Sequence, residues 1–356
     1  MSDQTVRMLV RTSAGGSQFR LEFSNALGDA PVTFGAVHAA LAGKDGAIVA
    51  ATDRTVTFSG KPVLTLFPGA KAVSDPIDLA VPPLTEVAVS VYLPDPTPLN
   101  TVHPLGLNPA YIAAGDASAV PELRNPQRVR SYFWLTGLSV PASNADAATI
   151  VAFGDSITDG FATTPGAHRT WPELLAERLQ ADPQLRGWGV VNVGISGNRV
   201  LKAGTGDAAV ARFDEDVLAR PGVKWIILLE SINDINMSII PGMPDSEQVT
   251  AEQIIDGLSQ LIDRAHLHGI RVAGGTILGT YGLPFYNDKG RAMWEAVNQW
   301  IRTSGRFDAV IDFEAVIRDP ANGLRINPAF DPGDHVHPND AGNRAMADAI
   351  DLDLFR

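Results

Sequence analysis

The stretch VAFGDSITDG, residues 151–160, decides how the chain is read. Its apolar run climbs to Gly154 and stops at Asp155 and Ser156, where a buried strand should end. A small hydroxyl at that point suits a turn or a helix cap, because Asp, Ser and Thr favour both. The same point is where open parallel sheets bind their ligands, beyond the carboxyl ends of the strands. What the rest of the chain delivers to that rim separates the two readings.

From about residue 147 the chain alternates between strand and helix. Apolar runs recur at ATIVAFG, GVVNVG, VKWIILLE, IRVAGGTIL and FDAVIDF. Runs that are apolar on both faces suit a parallel sheet covered by helices. Between them, Thr170 and Glu173 form the pattern of a capping box ahead of Leu174, Leu175 and Leu179. Ile254, Ile255, Leu258, Leu261, Ile262 and Ala265 trace one helical stripe. Pro338 is expected to open a last helix carrying Ala345, Met346 and Ile350. The pattern predicts an α/β domain over 147–356, a doubly wound parallel sheet of about five strands.

Residues 1–95 have another texture. VRMLVRT and QFRLEFSN alternate with period two on either side of a Gly-rich turn. TVTFSG, PVLTLFPG and EVAVSVYLP follow at similar spacing, which predicts an all-β antiparallel sandwich. Residues 96–146 are rich in Pro, Asn and Gly and read as a long crossover connection packed on both domains. Within it, RSYFWLTGLSV has the pattern of a further strand.

At 356 residues the chain is long enough for two cores. Its formal net charge of −12 argues against a nucleic-acid surface and against anionic membrane. It has no cysteine, which excludes disulfides, thiolate nucleophiles and Cys-ligated metals. The N-terminus has no apolar core of signal-peptide length, and no stretch approaches the roughly 18 apolar residues of a spanning helix. The compartment stays open: cytoplasmic, or secreted or periplasmic if a leader has been removed. The oligomeric state is open too.

The predicted strands end in chemistry-bearing residues. The first delivers Gly154-Asp155-Ser156, the second Gly194 to Asn198, the third Glu230 to Asp234, and the chain later reaches Asp334-His335-Val336-His337. A serine hydroxyl needs a base to take its proton, and a histidine oriented by a carboxylate supplies one near neutral pH. Asp334 and His337 are three apart, so one tight turn brings the carboxylate to the imidazole. The Ser156 and Gly197 backbone N–H groups and the Asn233 side-chain amide are three candidate donors to an oxyanion.

The blocks FGDSITDG, NVGISGN, ESINDIN and DHVHPND, in this order, resemble those of the SGNH hydrolases, also called GDSL esterases and lipases. The resemblance covers about 147–356. It implies the SGNH-type fold, Ser156 as nucleophile, His337 as base, Asp334 as its partner, and an oxyanion hole from Ser156, Gly197 and Asn233. It implies no metal and no organic cofactor. One position departs from the family pattern, since Ser231 stands where the third block usually has glycine. A β-sandwich ahead of such a domain is similar to a subgroup of bacterial esterases that often act on acylated carbohydrates.

The expected activity is that of a serine esterase on short-chain acyl esters, acetylated carbohydrates first and general short-chain or aryl esters second. Asp155, Ser231, His335, His103 and Tyr111 are candidates for substrate contact. Two other classes use the same letters. Asp155, Asp331, Asp334, His335 and His337 would suit Mn or Zn in a phosphoesterase, and a spent hydrolase fold would serve a carbohydrate-binding protein. A serine-directed phosphonate silences only an esterase, EDTA only a metal enzyme, and a binding protein turns over no ester.

Overall fold

The computed structural model describes residues 1–356, which divide into two compact units, Met1–Ala145 and Asp146–Arg356. The N-terminal unit is built of antiparallel strands. Its larger sheet runs in the order Gln127–Val129, Ala110–Ala114, Gln4–Arg11, Glu86–Leu93, Ala36–Leu41, Arg54–Thr55. A second sheet runs Leu135–Ser139, Arg20–Ser24, Lys71–Val73. Val6 and Met8 from the first meet Leu21 and Phe23 from the second in one core, as two layers of alternating strands require.

The segment 96–146 differs from its expectation as a crossover. Its strand Ala110–Ala114 pairs with Gln4–Arg11, and Leu135–Ser139 pairs with Arg20–Ser24, so its apolar residues complete the N-terminal sheets. The Pro and Gly that suggested a linker are the turns between short strands. Tyr111, a candidate for substrate contact, is buried in a small cluster with Leu9, Ala40, Ile48 and Ala88. His103 lies half-buried in the short strand Val102–His103. Arg7 is buried in the same unit. Its guanidinium donates to Ser90 Oγ and to the carbonyls of Gly46, Ala117, Ser118, Val120 and Pro121.

The second unit is a five-stranded, wholly parallel sheet in the order Trp188–Asn192, Ala148–Gly154, Val223–Leu229, Arg271–Gly275, Ala309–Ile311. The first strand in sequence therefore lies between the second and third, and the strand order reverses beside its carboxyl end. Ile150 to Phe153 and Trp225 to Leu229 are buried on both faces, which is why those runs read as unbroken apolar stretches. The helix Ala251–Leu267 carries a full capping box, Thr250 with Gln253, and buries the expected stripe except that Ile255 is half-buried. At Trp171–Ala181 the cap is simpler. Thr170 accepts the Glu173 N–H, while the Glu173 carboxylate takes the Thr170 hydroxyl and the His168 ring. The last helix begins at Asp340 rather than at Pro338, because Asn339 caps it by accepting the N–H groups of Ala341 and Gly342. Ile350 lies beyond its end at Asp348. No helix is long and apolar enough to cross a membrane.

Candidate active site

The strand Ala148–Gly154 ends where no side chain fits. A Cβ on Gly154 would collide with the Leu229 carbonyl and the Thr158 hydroxyl. Asp155 then caps a one-turn helix, Ser156–Asp159, by accepting the Ile157 N–H at 2.9 Å. Ser156 is the first residue of that turn, so its own N–H has no helical acceptor.

The second strand leads into a tight turn over 195–198, closed by the Asn198 N–H to the Ile195 carbonyl at 2.9 Å. Gly197 occupies it at φ +82°, a left-handed conformation that favours glycine. Asp159 steadies the turn by accepting the Ser196 hydroxyl at 2.6 Å. The third strand ends at Leu229, Glu230 and Ser231 follow it, and the helix Ile232–Met237 comes next. Asn233 donates one side-chain N–H to the Asn198 carbonyl at 2.9 Å. Asp234 accepts the N–H groups of Val200 and Leu201 at 2.7 and 3.2 Å, tying the second block to the third.

The fourth group lies on the loop before the last helix. Asp334 accepts the backbone N–H groups of Val336 and His337 through Oδ1, both at 2.9 Å. Its Oδ2 lies 2.8 Å from His337 Nδ1, and His337 Nε2 lies 2.8 Å from Ser156 Oγ. Burial works against ionisation of Asp334, but the backbone donors and the imidazole outweigh it and hold its carboxyl below the usual range. Thr164 donates through N–H and hydroxyl to Asp340, both at 2.8 Å, linking the segment after Ser156 to the one after His337.

The rim holds a residue that sequence reading missed. The Phe161 ring lies 4.5 Å from the His337 ring, and Phe161 is 43% exposed. In the same loop as His337, His335 pairs with Asp331 at 2.7 Å in a left-handed conformation, φ +64°. The His335 ring packs against Gly282, next to the exposed Tyr281. The five residues weighed as a metal set do not converge: Asp331 pairs with His335, Asp334 with His337, and Asp155 caps a helix. No group of three or more such side chains is placed to hold a metal ion.

Asp155 and Ser231, expected as substrate contacts, are buried, at 1% and 0% exposure. Ser231 is also strained. It sits at φ +105°, and its hydroxyl has no hydrogen-bond partner. Such strain costs about 1–3 kcal/mol, partly offset in a glycine variant by the unfolded chain's added freedom of about 0.4–1 kcal/mol. Ser231→Gly is expected to raise unfolding free energy by about 1 kcal/mol on this balance. Urea unfolding of the two proteins checks it, and a destabilised glycine variant contradicts the strain.

Asp155, Glu230 and Asp234 form a buried acidic group whose charges act on one another, and Asp155 adjoins Ser156 in the chain. Burial pushes the Asp155 carboxyl up to about 7, with repulsion from Asp234 adding to it. Burial likewise pushes Asp234 up to about 6. Glu230 is raised well above its ordinary 4.5 by burial and by Asp155 and Asp234, and its Oε1 has no partner. The folded state thus holds a proton on Glu230 that the unfolded chain releases above about 4.5. Where the folded state binds more protons, stability falls as pH rises. Its contribution is therefore full below 4.5 and is lost as pH climbs through the raised native value. Glu230→Gln keeps an acceptor for the Ser231 N–H and removes the titration. Its melting temperature is expected to gain on the parent's as pH rises above about 5; a constant gap overturns the assignment.

Comparison with known proteins places these observations. The model of the GDSL-like Lipase/Acylhydrolase family matches residues 152–345. No curated protein matches. Among solved structures, Axe2, an acetylxylan esterase from Geobacillus stearothermophilus, is similar at 24% identity and TM-score 0.45, over 57% of this chain and 91% of that one. LAE5, an alpha/beta hydrolase enzyme from the metagenome of Lake Arreo in Spain, is similar at 23% identity and TM-score 0.46, over 57% and 92%. A protein of the G-D-S-L family from Desulfitobacterium hafniense DCB-2 is similar at 20% identity and TM-score 0.43, over 57% and 97%.

Proposed function

The chain belongs to the GDSL-like lipase/acylhydrolase family and is a carboxylic ester hydrolase, and on that premise we propose that Ser156, His337 and Asp334 hydrolyse short-chain acyl esters, acetylated carbohydrates foremost. The observation that carries the roles is the unbroken line from Asp334 Oδ2 through His337 to Ser156 Oγ, 2.8 Å at each step. Ser156 Oγ attacks the ester carbonyl as its proton passes to His337 Nε2. Asp334 stabilises the imidazolium through Nδ1. The carbonyl oxygen takes the negative charge and meets the Ser156 N–H, the Gly197 N–H and the Asn233 N–H not spent on Asn198. His337 then returns the proton to the alcohol oxygen, the C–O bond breaks, and an acyl ester remains on Ser156. Water gives a proton to His337 and its oxygen to the acyl carbon, the bond to Ser156 Oγ breaks as His337 returns the proton to Oγ, and the acid leaves.

Two features support a small acyl group and a polar alcohol. The proposed oxyanion donors besides Ser156 itself belong to Gly197 and Asn233, short or polar residues. The exposed Phe161 lies against His337, and the exposed Tyr281 is the neighbour of Gly282, against which the His335 ring packs, which offers ring faces with a polar tip nearby. Phe161 against His337 equally suits an aryl leaving group, the second reading. A panel of acetylated oligosaccharides and p-nitrophenyl esters of graded chain length separates them. The expected order of kcat/KM is acetylated sugar above p-nitrophenyl acetate, with steady loss as the acyl chain grows. Rising kcat/KM with chain length would overturn the small acyl pocket, and p-nitrophenyl acetate above every sugar ester would favour the aryl reading.

A further inference from the structure

We infer that Arg212 is a positioning residue for the oxyanion hole: its guanidinium fixes Asn198, and through the Asn198 carbonyl the amide of Asn233, relative to the strand that carries Ser156. This rests on the reading of the hole given above.

Arg212 is 6% exposed and lies on the short helix Ala209–Phe213. Its Nη2 donates to the Gly154 carbonyl at 2.9 Å, at the end of the nucleophile's strand. Its Nη1 donates to the Val193 carbonyl at 2.7 Å, where the second block leaves its strand. Its Nε donates to Asn198 Oδ1 at 2.9 Å, at the far end of the turn that holds Gly197. Asp216 at 2.9 Å and the Phe153 ring at 4.2 Å hold the guanidinium plane itself. One rigid fork therefore spans the first two blocks, a task suited to the planar donors of arginine and unsuited to lysine.

The Asn198 amide has one possible orientation. Its Nδ2 donates to the carbonyls of Thr205 and Asp207, at 3.2 and 2.8 Å, so its oxygen must face Arg212. With both ends held, the Asn198 backbone carbonyl stays where Asn233 Nδ2 finds it at 2.9 Å. That bond uses one of the two Asn233 N–H groups. The other lies in the same rigid amide plane, so its direction is set by the first. A donor displaced by an ångström at a developing charge costs on the order of 100-fold in rate.

Arg212 also faces Asp155 and Glu230, which its charge favours in their ionised forms. A purely electrostatic role would be met by any cation. Arg212→Lys keeps the charge and loses the fork. The experiment is a double-mutant cycle on p-nitrophenyl acetate, with rates taken per active site titrated with a fluorophosphonate. Arg212→Lys is expected to lower kcat about 10- to 100-fold with KM within about twofold. In an Asn233→Ala background the same change is expected to cost less than about threefold, because the donor it positions is gone. Asn198→Ala, which removes one link and leaves the buried charge in place, is expected to show the same masking and carries the test if the lysine variant does not fold. Equal fold-losses in both backgrounds, or a loss confined to KM, overturn the relay. An Asn233→Ala enzyme with full kcat would instead overturn the reading of the hole, and that is seen before any relay variant is made.

Discussion

Ser156→Ala is expected to lower kcat for ester hydrolysis by a factor on the order of 10⁶ while leaving the protein folded. The Ser156 hydroxyl makes one hydrogen bond, to His337 Nε2. The framework around it, from the Asp155 cap to the Asp334 turn, uses other atoms and survives its loss. The chain has no cysteine to replace the hydroxyl, and in the proposed mechanism His337 is the base. The measurement is hydrolysis of p-nitrophenyl acetate beside a thermal melt. An alanine variant that melts like the parent and keeps more than a few per cent of its activity would remove Ser156 from the mechanism. Labelling by a fluorophosphonate is expected to vanish with the same change.

Asn233→Ala is expected to cost about 10²–10³ in kcat, the usual effect of one oxyanion donor. The loss should fall on kcat and leave KM nearly unchanged, because the donor meets charge that exists only as the ester carbonyl becomes tetrahedral. Asn233 is half-buried and bonds to a single carbonyl, so its truncation removes little packing. A variant with normal kcat and raised KM would make Asn233 a ground-state contact.

The parts of this site legible in sequence are those that one residue type announces at one place. A strand that stops at Gly-Asp-Ser, a turn that needs glycine, and a carboxylate three residues ahead of a histidine each carry their own local signature. Roles that depend on partners far along the chain were not legible. Arg212 reads as an ordinary helix residue, and its bonds to Gly154 and Val193 span 58 and 19 positions. Phe161 reads as a loop aromatic until it is seen against His337, while Asp155 reads either as a substrate contact or as an acceptor for backbone amides, and the structure has it capping Ile157. Ser231 was visible as a departure from a pattern, but its strain belongs to the backbone angle. In the N-terminal unit, residues 96–146 misled because short paired strands and a loop share the same Pro and Gly.

The glycines at the strand ends divide the site into parts of unequal tolerance. At Gly194 a methyl group would collide with the Asp159 amide, and at Gly154 with the Leu229 carbonyl. Those collisions are with backbone, which no rotamer relieves. Phe161 and Tyr281 have open solvent on one side. Descendants of this chain, or libraries drawn from it, therefore have few routes to a new substrate through the floor and many through the rim. Inherited variation in what the enzyme accepts is channelled to a handful of loop side chains, while the chemistry beneath them is inherited whole.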